Sequence, residues 1–142
     1  ALDVVAQRSL MVQIKELQLA FGFAVIFVTH DMSLISHFSD RLLVMYAAQV
    51  DELGVTKTIF DRPLHPYTQG LLEAFPSIRG PRVPLKGIPG NPPDLSRVPP
   101  GCRFRPRCPY AIDKCAELAP DLYPLDGTLV RCLRREDGSL AS

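Results

Sequence analysis

The chain has 142 residues, 46% of them hydrophobic, and a formal net charge of +1. This length suits one domain with an appendage and excludes a large multidomain enzyme, and the near-neutral charge gives no reason to expect bulk binding to nucleic acid or anionic lipid. The longest apolar stretch covers only residues 19–28 and is far shorter than the roughly 20 residues that cross a bilayer, so we expect no membrane insertion. The chain begins Ala1-Leu2-Asp3, without an initiator Met or an export signal, and we expect it to be a piece of a longer protein.

The apolar spacing of the first 62 residues predicts an α/β arrangement. Apolar side chains recur three and four positions apart over residues 4–21, which predicts an amphipathic helix with Asp3 as its cap and Gly22 at its end. Residues 23–28 are apolar without polar alternation, which predicts a strand buried on both faces, as in a parallel sheet. The other predicted elements are a helix at 32–38, strands at 41–46 and 48–52, the second ended by Gly54, and short helices at 56–60 and 67–75.

The polar triplet Thr29-His30-Asp31 follows the predicted strand at its carboxyl end. Open α/β sheets bind ligands at such strand ends, so position alone makes His30 a candidate site residue. The pattern equally allows a His that caps the next helix or packs in a loop. Local sequence leaves both interpretations open.

The composition changes near residue 62. None of the 14 prolines falls in residues 1–62, and ten of them lie within 76–109. Residues 79–109 also carry seven Lys or Arg and a single acidic residue. Proline at this density removes backbone donors and fixes φ, which predicts extended, polyproline-like chain with turns over 81–100. We therefore divide the chain into a first domain, 1–62, and a second domain, 63–142.

All four cysteines lie within 31 residues of the second domain, at Cys102, Cys108, Cys115 and Cys132. Such clustering is typical of a [4Fe-4S] cluster, a four-thiolate zinc site or two structural disulfides, and the spacing lacks the C-x2-C pairs that would decide among them. Residues 79–142 have little continuous apolar pattern, so we expect a metal to substitute for a core. Four cations near the cysteines in sequence are expected to lower the pKa values of the thiols: Arg103, Arg105, Arg107 and Lys114.

Four strings occur in order along the chain: residues 25–31 (Val-Ile-Phe-Val-Thr-His-Asp), 59–68 (Ile-Phe-Asp-Arg-Pro-Leu-His-Pro-Tyr-Thr), 87–95 (Gly-Ile-Pro-Gly-Asn-Pro-Pro-Asp-Leu), and 101–109 with Gly-Cys-Arg-Phe and Arg-Cys-Pro. Together they resemble the carboxyl-terminal part of an ABC transporter ATPase subunit, in the dipeptide/oligopeptide importer branch. The resemblance implies an α/β fold: the truncated end of a P-loop NTPase-like ATPase domain, followed by a proline-rich, four-cysteine appended domain.

The resemblance also implies roles for individual residues. Asp3 is similar to the D-loop aspartate, which faces a second ATPase subunit across the bound nucleotide, and His30 is similar to the switch histidine, which contacts the terminal phosphate of ATP and aligns the attacking water. The cofactors implied for the parent protein are ATP and Mg²⁺. In this branch the four cysteines are associated with a [4Fe-4S] cluster, and zinc or a metal-free state are the alternatives. Two positions depart from the family pattern: Ala48, where Gly is usual, and Leu133, where His is common.

The string G-x-x-x-x-G-K-[ST], which cradles phosphates, does not occur in the sequence. The resemblance implies that the parent protein is an ATPase that drives peptide import, and because this string is absent we expect the fragment alone to be inactive. The implied partners are a second ATPase subunit and transmembrane permease subunits, with the parent bound peripherally at the cytoplasmic face of the membrane.

Two other functions were weighed against transport. A stand-alone, metal-stapled basic module would bind a protein partner, or nucleic acid through Phe104 and Tyr110, but only 8% of residues are aromatic and no nucleic-acid motif is present, so we expect no nucleic-acid partner. A free-standing metalloenzyme lacks a positioned acid or base, because His65 reads as a helix entry and His37 as part of a short helix. The apolar strand predicted at 23–28, without neighbours, predicts self-association.

Overall fold

The computed structural model describes residues 4–74 and 87–140, so Asp3, expected to be a helix cap and a nucleotide contact, lies outside the described residues. The chain forms two compact units, Ala1–Ser39 and Asp40–Ser142. Along residues 4–74 and 87–140, no helix combines the length and apolar character of a membrane-spanning segment.

The first unit contains two helices, α1 (Val4–Phe21) and α2 (Met32–Phe38). The predicted bounds of both helices are confirmed. Helix α1 ends because Gly22 takes a φ of 71°, which disfavours side-chain-bearing residues, while its N–H donates to the carbonyl of Gln18 at 2.8 Å. Helix α2 begins at the Asp31 carboxylate, which accepts from the N–H groups of Ser33 and Leu34.

The strand predicted over residues 23–28 is wrong for this structure. These residues have no regular secondary structure, and the side chains of Ile26 and Val28 are 95% and 97% exposed. A strand needs a neighbour that pairs its N–H and C=O groups, and the described part of the first unit contains only helices. These apolar residues therefore have no neighbouring strand to pair with in the described part of the first unit. Self-association through them stays a prediction.

The second unit is built on a four-stranded sheet of order β1-β2-β4-β3. Its strands are β1 (Arg41–Tyr46), β2 (Gln49–Val55), β3 (Tyr123–Leu125) and β4 (Thr128–Val130), and all three pairings are antiparallel. A parallel arrangement, expected from the run at 23–28, is not found among the described strands. In β1, exposed and buried side chains alternate strictly, because successive side chains point to opposite faces of the sheet.

Strand β2 ends at Val55, three residues beyond the predicted end at residue 52, and it runs through Gly54, which was expected to end it. A Cβ on Gly54 would lie 2.9 Å from the Thr128 hydroxyl oxygen of β4. Glycine at this position allows close packing of β2 against Thr128. The residue therefore marks a tight contact between strands and does not end the strand.

Short helices and turns complete the second unit: α3 (Thr56–Asp61), α4 (Pro66–Glu73), a 3-10 turn at Arg105–Arg107, α5 (Lys114–Glu117) and α6 (Leu133–Glu136). Helices α3 and α4 confirm the two predicted before and after residue 62. Residues 87–100 form neither helix nor strand, as their prolines predict.

Strand pairing joins residues on both sides of residue 62. Glu52 and Leu53 of β2 pair with Val130 and Leu129 of β4, and the buried core of this unit includes Ile59, Leu64, Phe104 and Val130. The cysteine-containing region therefore packs on the β1–β2 hairpin and does not depend on a core of its own. The division into 1–62 and 63–142 stays a prediction from sequence.

Candidate functional site

His30 lies in the bend before α2, and its side chain is exposed. Its neighbours fix the loop: the N–H of Asp31 donates to the Thr29 hydroxyl at 3.0 Å, and the Asp31 carboxylate caps α2. The cap that the sequence allowed for His30 is therefore supplied by Asp31. The imidazole projects from a loop whose main chain is held on both sides.

The four cysteines line one small cavity of about 20 Å³, although they are spread over 31 residues of the chain. Cys102 and Cys115 approach through their main chains, since the N–H of Cys102 donates to the carbonyl of Cys115 at 2.9 Å. The approach requires Gly101, which has a φ of 73° and whose added Cβ would lie 2.4 Å from the Cys115 carbonyl oxygen. The glycine of the Gly-Cys-Arg-Phe string thus allows the main chains at Cys102 and Cys115 to approach each other.

The other two thiols lie at the ends of short helical turns. Cys108 closes the 3-10 turn, and its N–H donates to the carbonyl of Arg105 at 3.2 Å. Cys132 precedes α6, and its carbonyl accepts from the N–H groups of Arg135 and Glu136. Leu133, where the family commonly has His, is buried and also lines the cavity.

The expectation that neighbouring cations lower the thiol pKa values is wrong. Burial raises the pKa of Cys102 and of Cys108 to about 11, and it also raises the pKa of Cys132. The nearby guanidinium groups are directed elsewhere: Arg103 donates to the carbonyl of Ala47, and Arg107 donates to carbonyls in residues 88–89. The desolvation of the thiolate therefore dominates, and these three thiols are protonated at neutral pH.

The donor chemistry of the cavity suits a soft metal, but its geometry does not form a single-ion site. No group of three or more His, Cys, Asp or Glu side chains in residues 4–74 and 87–140 is arranged to hold a metal ion. Tetrahedral zinc, with Zn–S bonds of about 2.3 Å, requires its sulfurs to lie close together. In a four-iron cluster each thiolate binds a different iron, so the sulfurs are spread more widely.

A buried polar cluster beside this cavity was not recognised in the sequence. Glu52, fully buried in β2, accepts hydrogen bonds from the N–H groups of Leu64 (2.8 Å) and His65 (3.0 Å). Burial raises the pKa of Glu52, while its hydrogen bonds oppose that shift. Arg135 of α6 donates to the carbonyl of Leu64 at 2.8 Å. The segment that begins α4 is thereby fixed from both sides by charged side chains.

His65 connects this cluster to the cysteine cavity, which it lines. Its Nδ1 accepts from the N–H of Tyr67 at 3.1 Å, which caps α4 and confirms the helix entry expected there. Its Nε2 lies 3.8 Å from Oδ2 of Asp51, an atom without a hydrogen-bond partner among the described residues. Burial lowers the pKa of His65 to about 3 and raises that of Asp51 to about 7.

An aromatic cluster forms the wall between the cavity and β1. The Phe104 ring lies 5.2 Å from Tyr46 in an edge-on arrangement, 5.4 Å from Tyr67 and 5.8 Å from His65. Only 2% of Phe104 is exposed. The ring that the sequence offered as a stacking surface for nucleic acid is therefore used in the core.

Comparison with known proteins identifies the family. Residues 52–115 match the family described as the oligopeptide/dipeptide transporter, C-terminal region. The chain is 45% identical over 132 residues to a peptide import ATP-binding protein of Brucella melitensis and 42% identical over 134 residues to the oligopeptide transport ATP-binding protein OppD of Salmonella typhimurium. It is 43% identical over 141 residues to the oligopeptide transport ATP-binding protein AppD of Bacillus subtilis.

These matches cover 93%, 94% and 98% of this chain and 40%, 40% and 43% of the three relatives, so the chain spans less than half of their length. The resemblance found in the sequence is confirmed over nearly the whole chain. Residues 52–115 therefore belong to the oligopeptide/dipeptide transporter C-terminal region family, and the similarity of nearly the whole chain to peptide and oligopeptide import ATP-binding proteins is consistent with a carboxyl-terminal fragment of such a subunit.

Proposed function

We propose that the chain is part of the ATP-hydrolysing subunit that energises peptide import across the cytoplasmic membrane. The observation that carries this proposal is the 40–45% identity, over more than nine-tenths of the chain, to proteins named for peptide or oligopeptide import and ATP binding. The parent protein would bind ATP and Mg²⁺, would work with a second ATPase subunit and with permease subunits, and would lie peripherally at the cytoplasmic face. Asp3 would contribute at the face between the two ATPase subunits.

In this proposal His30 is the catalytic residue that the fragment supplies. Phosphoryl transfer needs donors placed where charge develops on the γ-phosphoryl oxygens. An exposed imidazole is suited to that task, because the main chain of the loop that carries it is fixed by hydrogen bonds at Thr29 and Asp31. Its hydrogen bond would also align the attacking water.

The test uses the full-length parent protein with its partner subunits. His30→Ala is expected to lower kcat for ATP hydrolysis by about 10²–10³-fold with ATP affinity nearly unchanged, since one transition-state donor is lost. His37→Ala is the matched control, because His37 is another exposed histidine of the same unit whose Nδ1 contacts the carbonyl of Ser33. ATP turnover by His30→Ala at the rate of the control would refute the role of His30.

We also propose that the cysteine cavity holds a [4Fe-4S] cluster that stabilises the second unit of the native protein, with zinc as the less favoured occupant. Cys102, Cys108, Cys115 and Cys132 would be the ligands, and the group would supply a covalent link among the 3-10 turn, α5 and the start of α6. Because burial raises the pKa values of three of these thiols, assembly must displace protons and should weaken at lower pH.

Anaerobic purification of the full-length protein tests the cluster. Iron and acid-labile sulfide in equal amounts, lost in Cys108→Ala, are expected. Stoichiometric zinc without sulfide would assign the cavity to the alternative occupant. Absence of any metal, with the second unit still folded, would remove the metal role altogether.

A further inference from the structure

Residues 87–90, which we call the strap, lie against α4 and are held there at two points. The first point is the side chain of Ile88, which fills the space beside Gly70: a Cβ on Gly70 would lie 2.7 Å from Cγ1 of Ile88. The second point is Arg107, whose Nε donates to the carbonyl of Pro89 at 2.8 Å and whose Nη2 donates to the carbonyl of Ile88 at 3.1 Å. The strap is thus fixed to α4 by the side chain of Ile88 and to the 3-10 turn by its main-chain carbonyls.

Arg107 is itself held on a third side. Its guanidinium lies over the Tyr46 ring, with Cζ 5.8 Å from the ring centroid, and its Nη1 donates to the Tyr46 hydroxyl at 3.4 Å. Tyr46 belongs to the buried face of β1. A single side chain therefore connects the strap, the sheet and the 3-10 turn from which it projects.

The residue that follows Arg107 is Cys108, one of the thiols of the cavity. The turn between them is stiff, because the N–H of Arg107 donates to the carbonyl of Phe104 at 3.0 Å and the N–H of Cys108 donates to that of Arg105 at 3.2 Å. Phe104 is packed in the aromatic cluster. Arg107 and Cys108 therefore belong to one hydrogen-bonded turn, and a shift of that turn moves both residues.

We propose that the strap is a latch for the cysteine cavity and that Arg107 is the positioning residue that transmits its state to Cys108. When Ile88 is seated on α4, Arg107 is fixed and Cys108 is held inside the cavity. When the strap lifts, Arg107 loses its carbonyl partners and Cys108 becomes accessible. Such coupling is reciprocal, so an occupant that draws the four thiols together must also hold the strap down. Only the identity of that occupant rests on the function proposed above.

The latch is tested in the reduced, metal-free chain by site-resolved alkylation with iodoacetamide at a single pH. In Gly70→Ala the new methyl group crowds the Ile88 side chain and displaces it. The variant changes no residue that lines the cavity. It should speed alkylation of Cys108 by about tenfold, within the usual range of such couplings. Gly87→Ala is the matched control, because its Cβ would meet no atom of the described residues within 4 Å, and it should leave the rate unchanged.

Conformational exchange of the strap between docked and lifted positions, measured by NMR relaxation at the amides of Ile88 and Gly90, reports independently whether the strap is docked. Ile88→Ala provides a second route, since it removes the seated side chain without crowding α4. Faster exchange at the strap together with faster alkylation of Cys108 is expected for both variants. If exchange speeds up in both while Cys108 reacts at the wild-type rate, the latch is refuted.

The reverse direction is measured by adding ferrous iron and sulfide anaerobically. In the wild-type chain, cluster formation should slow exchange at the strap, and in Cys108→Ala it should not. If the wild-type chain forms no cluster, the proposed occupant is wrong, while the alkylation result still decides the latch. If a cluster forms and exchange at the strap is unchanged, the reciprocity fails and the latch with it.

Discussion

Oδ2 of Asp51 lies 3.8 Å from Nε2 of His65, and both side chains are almost entirely buried. Burial disfavours the charged form of each, so it raises the pKa of the acid to about 7 and lowers that of the base to about 3. At pH 5 the folded protein therefore holds both groups neutral, whereas the unfolded chain holds both charged. The two residues make opposite contributions to the pH dependence of stability.

The signs follow from proton linkage. For Asp51, the folded pKa is raised, so its contribution to stability is complete below its ordinary pKa of 3.8 and is lost as the pH rises toward about 7. For His65, the folded pKa is lowered, so its contribution to stability is complete above its ordinary pKa of 6.5 and is lost as the pH falls toward about 3. Between pH 3.8 and 6.5 the opposite effects of the two residues on the free energy of unfolding largely cancel.

Asp51→Asn should remove the pH dependence of stability that Asp51 contributes and leave the one that His65 contributes. Relative to wild type, its free energy of unfolding should gain up to about 1.4 kcal/mol per pH unit as the pH rises from 4 to 6.5. Urea unfolding followed by tyrosine fluorescence measures this, because all four tyrosines lie in the second unit. The exposed Asp121→Asn is the control. Parallel pH profiles for Asp51→Asn and wild type would contradict the buried pair.

Glu52→Gln should destabilise the second unit by about 2–3 kcal/mol, although it preserves size and removes a buried charge. Each carboxylate oxygen of Glu52 accepts from a different N–H, and glutamine would direct an NH₂ group at one of these two donors. Urea unfolding measures the loss. Glu73→Gln, at an exposed position of α4, should change stability by less than about 0.5 kcal/mol. Equal effects at both positions would show that the buried carboxylate does not fix α4.

Gly101→Ala should lower the free energy of unfolding more than Gly127→Ala does. The residue has a φ of 73°, and the new Cβ would lie 2.4 Å from the carbonyl oxygen of Cys115, so we expect a loss of about 3 kcal/mol or more. Gly127→Ala separates the two causes, because its φ is 78° while no atom of the described chain lies within 4 Å of its Cβ. That variant should lose only about 1–2 kcal/mol. Similar losses would mean that contact with Cys115 is unimportant.

Ala48→Gly should stabilise the protein. Ala47 and Ala48 form the tight turn between β1 and β2 with φ values of 47° and 60°, a conformation that favours glycine. Relief of this strain should raise the free energy of unfolding by about 0.5–1 kcal/mol despite the greater freedom of glycine in the unfolded chain. Ala119→Gly, at an exposed position outside the helices and strands, should lower it slightly. A loss of stability in Ala48→Gly would contradict the strain.

Local signals in the sequence were sufficient for α1 and α2, whereas the short helices α5 and α6 were not predicted. The bounds of α1 and α2 follow from apolar spacing, from Gly22 and from the caps, all of which act within a few residues. Sheet structure depends on partners distant in sequence, so the run at 23–28 was misread, and the pairing of Leu53 with Leu129 could not be anticipated. Hydrophobicity predicts which residues can form a strand, and pairing decides which of them do.

For the candidate site, clustering in the sequence anticipated that the cysteines meet, but not the state of their thiols. The cations near them in sequence are directed to main-chain carbonyls, which only the fold determines. One feature of the sequence could have indicated the buried cluster: Asp51 and Glu52 are adjacent acids at the centre of β2. Two carboxylates at the centre of a strand predict buried partners, here His65 and the α4 entry.

The pairing of β2 with β4 has a consequence for exchanging parts between relatives. The segment by which the family is recognised starts at residue 52, in the middle of β2, and ends at residue 115, before β3 begins. A chimera joined at these positions would cut through β2 and would separate β4 from its native pairing partner. Grafts intended to transplant this region should instead carry the whole stretch from Asp40 onward, because the inherited signature and the cooperative folding block have different edges.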